Sequence, residues 1–82
     1  MNMRGAFEDT LELAEDRHYG FRLLAETGVD MAHLRSMLER VTPEFSEAKL
    51  GRWLGYAQGV LVANGCITLD EAKAINMKHA GQ

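Results

Sequence analysis

The chain has one cysteine, one proline and one tryptophan, and aromatic residues make up 7% of it. The lone Cys66 excludes an internal disulfide and fits a reducing compartment. With Pro43 as the single proline, helix breakers are almost absent. There is no alternating β-branched run, so strands are not expected. No apolar run exceeds four residues, far too short to cross a bilayer as a helix. Met1 to Gly5 hold one Arg and no apolar segment, so no secretion signal is expected and the cytoplasm is the expected setting. Basic charge is in deficit, nine Lys and Arg against twelve Asp and Glu for a net charge of -3. Phosphate recognition needs a basic face, which disfavours nucleic acid as the partner.

What is present suits one small globular domain. Hydrophobic residues make up 46% of the 82 residues, too many for a disordered tail. A chain of this size buries only about 60–65% of the surface its unfolded form exposes, so its stability is marginal. Small domains lean on disulfides, metals or self-association. With the first excluded, and no metal-ligand spacing on any one helix face, a homodimer is one expectation.

Helical spacing recurs along the chain and predicts an all-α, compact four-helix domain of short antiparallel helices. The first helix covers about residues 6–26, with Phe7, Leu11, Ala14, His18, Phe21 and Ala25 on one face and Gly28 ending it. Gly20 falls inside and costs about 1 kcal/mol against Ala. The second covers about 31–41, capped by Asp30 and carrying Leu34, Met37, Leu38 and Val41. Thr42-Pro43 stops it. The third covers about 46–63, capped by Ser46 or Thr42 and closed by Asn64-Gly65. The fourth covers about 69–78. Thr68 and Glu71 form a capping box, Ile67 is placed to staple against Ala72, and Leu69, Ala72 and Ile75 make its apolar face.

The third helix carries two seams. At about 100° per residue, Leu50, Trp53, Leu54, Ala57, Val60 and Leu61 fill the core arc, while Ala48, Gly51, Gly55, Gly59 and Val62 line nearly the opposite side. Three glycines at successive i+4 positions cost a helix roughly 3 kcal/mol, out of a total stability of about 5–10 kcal/mol for a domain of this size. Close approach of another helix backbone would compensate. That helix is either the first or fourth of the same chain, which would put the third at the centre of the bundle, or one brought by a partner. In both cases the stripe is a packing surface. Phosphate-binding glycines sit in a loop before a helix, where their N–H groups are free. Arg52, Tyr56 and Gln58 border the stripe and are candidate partner contacts, Arg and Tyr being enriched at binding hot spots.

Residues that could do chemistry are scattered. His18, His33 and His79 fall on three different helices, and none has a ligand neighbour at metal spacing. Cys66 has Asp70 and Glu71 nearby in sequence, the wrong charge for a reactive thiolate. No hydrolase, redox or nucleotide motif occurs, so neither catalysis nor a cofactor is expected. Five acids, Glu8, Asp9, Glu12, Glu15 and Asp16, crowd the first helix. Acids belong near a helix N-terminus, which accounts for two or three. The excess is either a solvated face or a contact surface for a basic partner. A helix-turn-helix reading of the last two helices would present Asp70 and Glu71 to phosphates, which argues against DNA binding.

The stretch Lys49-Leu50-Gly51-Arg52-Trp53-Leu54-Gly55-Tyr56-Ala57-Gln58-Gly59-Val60-Leu61, followed by Ile67-Thr68-Leu69-Asp70-Glu71 and Asn76, resembles a group of short accessory proteins of tailed bacteriophages and prophages. These carry an R-W-L-G-x-x-Q-G-x-x-L helix, then a T-x-[DE]-E helix ending near an Asn. The resemblance covers roughly the last thirty-five residues. It implies a bacterial-host setting and, by analogy with phage genes of this size, a stoichiometric inhibitor of host machinery such as restriction or CRISPR defence. The expectation is a non-catalytic protein that binds a host protein or complex. The alternative is a homodimeric structural or regulatory module, and a DNA-binding regulator is the weakest reading.

Overall fold

The computed structural model describes residues 1–17 and 31–81. Among them are four helices and no strand: α1 (Met3–Asp16), α2 (Met31–Glu39), α3 (Glu47–Ala63) and α4 (Leu69–His79). The all-α four-helix reading holds, with shifts at the ends of elements.

α1 starts about one turn before its first apolar stripe residue. Asn2 is its N-cap, and the Asn2 Oδ1 accepts from the Gly5 N–H at 3.0 Å. The Asn2 N–H in turn donates to the His79 carbonyl at 3.0 Å, tying the start of α1 to the end of α4. Arg17 is the C-cap of α1. The expected continuation to Glu26, with His18, Gly20, Phe21, Ala25, the Gly28 stop and the Asp30 cap, lies outside the described residues.

The core is built around α1, not α3. Ala6, Phe7, Leu11 and Ala14 are fully buried, and α2, α3 and α4 each pack on α1. The reason is compositional. The inward arc of α1 is apolar over three turns, whereas one side of α3 is glycine and cannot fill a core. α2 contributes Met31, Leu34, Met37 and Leu38; α3 contributes Leu54, Ala57 and Leu61, with Leu50, Trp53 and Val60 half-buried beside them.

The connections follow from local chemistry. Pro43 lies in a turn in which the Phe45 N–H donates to the Thr42 carbonyl at 3.0 Å. Ser46 then caps α3, its Oγ accepting from the Lys49 N–H at 3.0 Å. α3 ends in a Schellman arrangement around Gly65, whose φ is 74°. The Cys66 N–H reaches the Leu61 carbonyl at 2.8 Å and the Gly65 N–H the Val62 carbonyl at 3.0 Å, and Cys66 packs in the same buried cluster as Leu61. α4 opens with the capping box. Thr68 Oγ1 accepts from the Glu71 N–H at 3.1 Å, and Glu71 Oε1 accepts from the Thr68 N–H at 2.8 Å. One expectation for α4 fails: Leu69 is 57% exposed, while Ala72 and His79 are its buried residues.

Candidate functional site

Among the described residues the middle of the glycine stripe of α3 is open. Ala48, Gly55 and Gly59 are exposed, and Gly51 and Val62 are half-buried. A methyl group added at Gly55 or Gly59 would meet nothing within 4 Å among the described residues; at Gly51 it would stand 3.4 Å from the Met3 sulfur. Among the described residues neither α1 nor α4 occupies the middle of the stripe. The helical cost of Gly55 and Gly59, about 1 kcal/mol each, is uncompensated within these residues.

Two grooves flank the stripe. On the α4 side, Gly55, Gly59 and Val62 face the exposed Leu69 together with Ala72 and Lys73 across a groove of about 380 Å³. On the other side, Arg52, Trp53 and Tyr56 of α3 face His33, Met37 and Arg40 across a pocket of about 400 Å³. Trp53 is fixed there by an edge-on contact with Phe45, centroids 5.0 Å apart at 89°. The Arg40 guanidinium carbon and the Lys49 Nζ each lie 5.5 Å from the Trp53 ring centroid. Arg52 and Tyr56 are exposed, Tyr56 by 43%, and stand between the stripe and this pocket. The two rim residues and the stripe therefore form one continuous exposed face of α3.

Gln58 does not belong to that rim. It is 8% exposed and exchanges two hydrogen bonds with Asn76. Gln58 Nε2 donates to Asn76 Oδ1 at 2.9 Å, and Asn76 Nδ2 donates to Gln58 Oε1 at 3.1 Å. Gln58 Nε2 also donates to Thr10 Oγ1 at 3.1 Å, while the Thr10 hydroxyl donates to the Ala6 carbonyl at 2.7 Å. This buried network joins α1, α3 and α4 and leaves no buried side-chain N or O without a partner among the described residues. At about 100° per residue, Gln58 falls about 40° from Leu54, at the edge of the core arc. That angle was the available signal. Gln58 and Asn76 are thus partners of each other.

The acidic residues of α1 are mostly spent inside the chain. The first turn holds no acid, because the helix begins at Met3, so the macrodipole does not explain them. Glu8 pairs with Arg4 at 3.3 Å, Glu15 pairs with Arg35, and Asp9 Oδ2 lies 2.8 Å from both Lys78 Nζ and His79 Nε2. The Lys78 and His79 hydrogen bonds hold the Asp9 carboxyl below its ordinary range, and Asp9 in turn raises Lys78. Glu12 and Asp16 remain exposed. These cross-helix pairs were not legible, since Asp9 and His79 are 70 positions apart.

Arg17 also proves structural. Its guanidinium grips both oxygens of Glu71, one at 2.8 Å, and reaches the Cys66 carbonyl at 3.3 Å. The Arg17 hydrogen bonds, helped by the Thr68 N–H, lower the Glu71 carboxyl to about 2. Burial pushes the Cys66 thiol up, away from the reactive thiolate. His33 is exposed and His79, 6% exposed, is engaged by Asp9. Among the described residues no three His, Cys, Asp or Glu side chains come together as a metal site, and no helix is long and apolar enough to cross a membrane. What the surface offers is shape, apolar contact and a few cations.

No known protein family, no characterised protein and no solved structure matches this chain.

Proposed function

We propose that this chain is a non-catalytic module that binds another protein stoichiometrically, through the open face of α3 formed by Ala48, Gly51, Gly55, Gly59 and Val62 with Arg52 and Tyr56. One observation carries the reading: among the described residues nothing stands where a side chain at Gly55 or Gly59 would go, yet each costs helix stability. A flat, backbone-lined strip is what lets a second helix approach closely. The exposed Leu69 and Tyr56 on either side give that helix apolar contact at both edges. The polar interior supports a binding role over a chemical one, because Gln58, Asn76 and Thr10 satisfy one another and Asp9 is held by His79 and Lys78.

The phage-type resemblance of the C-terminal part makes a bacterial host complex, defence machinery included, the target class to screen, with inhibition as the consequence of binding. The test is affinity capture from bacterial lysate with the tagged chain and its Gly55→Leu variant. A host protein held in stoichiometric amount by the parent and lost by the folded variant supports the reading. Equal recovery by both variants, or none by either, contradicts it. Light scattering on the purified chain is the companion measurement. A dimer abolished by Gly55→Leu would assign the same face to a second copy instead.

A further inference from the structure

The pocket between α2 and α3 departs in charge from the rest of the molecule. Among the described residues its lining, His33, Met37, Arg40, Arg52, Trp53 and Tyr56, contains two permanent cations and no carboxylate, in a chain whose net charge is -3. Lys49 adds a third cation over the Trp53 ring, 5.5 Å from its centroid. Met, Trp, Tyr and Arg are the residues enriched at the centres of protein interfaces, where Lys, Glu, Asp, Ser and Ala are depleted. The pocket is also preorganised. Phe45 and Arg40 hold Trp53, and Arg40 Nε donates to the Ser36 carbonyl at 3.3 Å, so little side-chain freedom remains to be lost on binding.

Resting on the protein-binding reading above, we infer that this pocket anchors an acidic segment of the partner: an apolar side chain enters against Met37 and Trp53 while flanking carboxylates meet Arg40 and Arg52. Planar guanidinium groups suit carboxylates because they offer paired donors. A local field opposite in sign to the whole chain steers an acidic segment to this one place. Arg40 and Arg52 meet at one pocket of about 400 Å³, which suits a short peptide better than a phosphate backbone.

Trp53 is the only tryptophan, so its fluorescence reports on this pocket alone. The probe is a short synthetic peptide in which Asp and Glu flank a Leu-Phe pair, titrated beside its Asn/Gln counterpart and a short oligothymidylate. The acidic peptide shifts Trp53 emission saturably. Binding weakens roughly ten-fold in Arg52→Glu, about the loss of one close charge pair, and changes less than about two-fold in Arg4→Glu, which makes the same net-charge change at an exposed site. Raising salt from about 0.1 M to about 1 M shortens screening from ~10 Å to ~3 Å and weakens it further. Failure of the acidic peptide to move Trp53, equal binding by Arg52→Glu, or tighter binding of the oligothymidylate overturns the inference. A host protein captured through the stripe but indifferent to Arg52→Glu would overturn it and take Arg52 out of the contact face, while leaving the glycine strip as the binding surface. A peptide that binds here when capture fails would leave the pocket standing without the stripe.

Discussion

Replacing Gly55 and Gly59 together by alanine tests whether the stripe is open in the free protein. Each glycine in a helix interior costs about 1 kcal/mol against alanine. The described residues do not oppose the new methyl groups, because neither position has one of their atoms within 4 Å of the added carbon. The double variant therefore gains about 2 kcal/mol. For a domain of this size each kcal/mol moves Tm by about 4–8 °C, so Tm rises by roughly 8–16 °C. Circular dichroism melts and urea titrations measure this, and an unchanged urea slope confirms that only stability has moved. Capture of the partner falls at the same time, because the two methyl groups hold a docking helix away. A fall in stability would show that the stripe is already filled, and a Tm that depends on protein concentration in the parent and not in the variant would show that a second copy fills it. That result would refute the reasoning.

Gly5→Ala has the opposite sign. Its methyl would stand 2.5 Å from Asn2 Nδ2 and 2.8 Å from His79 Cε1, so the α1 cap and the α1–α4 tie are forced apart, at about 1–3 kcal/mol in a urea titration. Gln58→Ala leaves Asn76 and Thr10 short of partners in a closed interior and costs about 1–3 kcal/mol; the Gln58→Leu/Asn76→Leu double variant loses less than the sum of its single variants, as a thermodynamic cycle on the same assay will show. Glu71 gives an acid dependence. Its folded carboxyl titrates at about 2 against an ordinary 4.5, so the stabilisation from Arg17 and Thr68 is complete above about pH 4.5 and drains away as pH falls toward 2. Glu71→Gln flattens that part of the stability–pH curve.

Periodicity and capping chemistry made most of the described fold legible. The buried faces of α1, α2 and α3 were readable from apolar spacing, and the Thr68–Glu71 box and the Asn64-Gly65 stop from residue type. α1 began earlier than expected because its signal, an Asn cap before Met-Arg-Gly, carries no apolar period. Leu69 was misplaced because a residue at the first position of a helix need not share the face of the turns that follow. The glycine stripe was legible as an anomaly, but its openness depends on which neighbour α1 chooses, and that is a tertiary matter. Gln58 was read by its polarity when its angular position pointed inward. The acidic run of α1 looked like a surface because its cations, Arg35, Lys78 and His79, are distant in sequence and arrive only with folding.

Site-specific photo-crosslinking in bacterial cells tests the contact face most directly. A photoreactive residue at Tyr56, which is 43% exposed beside the stripe, is predicted to yield one discrete adduct with a protein partner, and the same residue at Met77, 77% exposed on α4, none. An adduct at Met77 with nothing at Tyr56 would place the contact elsewhere and contradict the account.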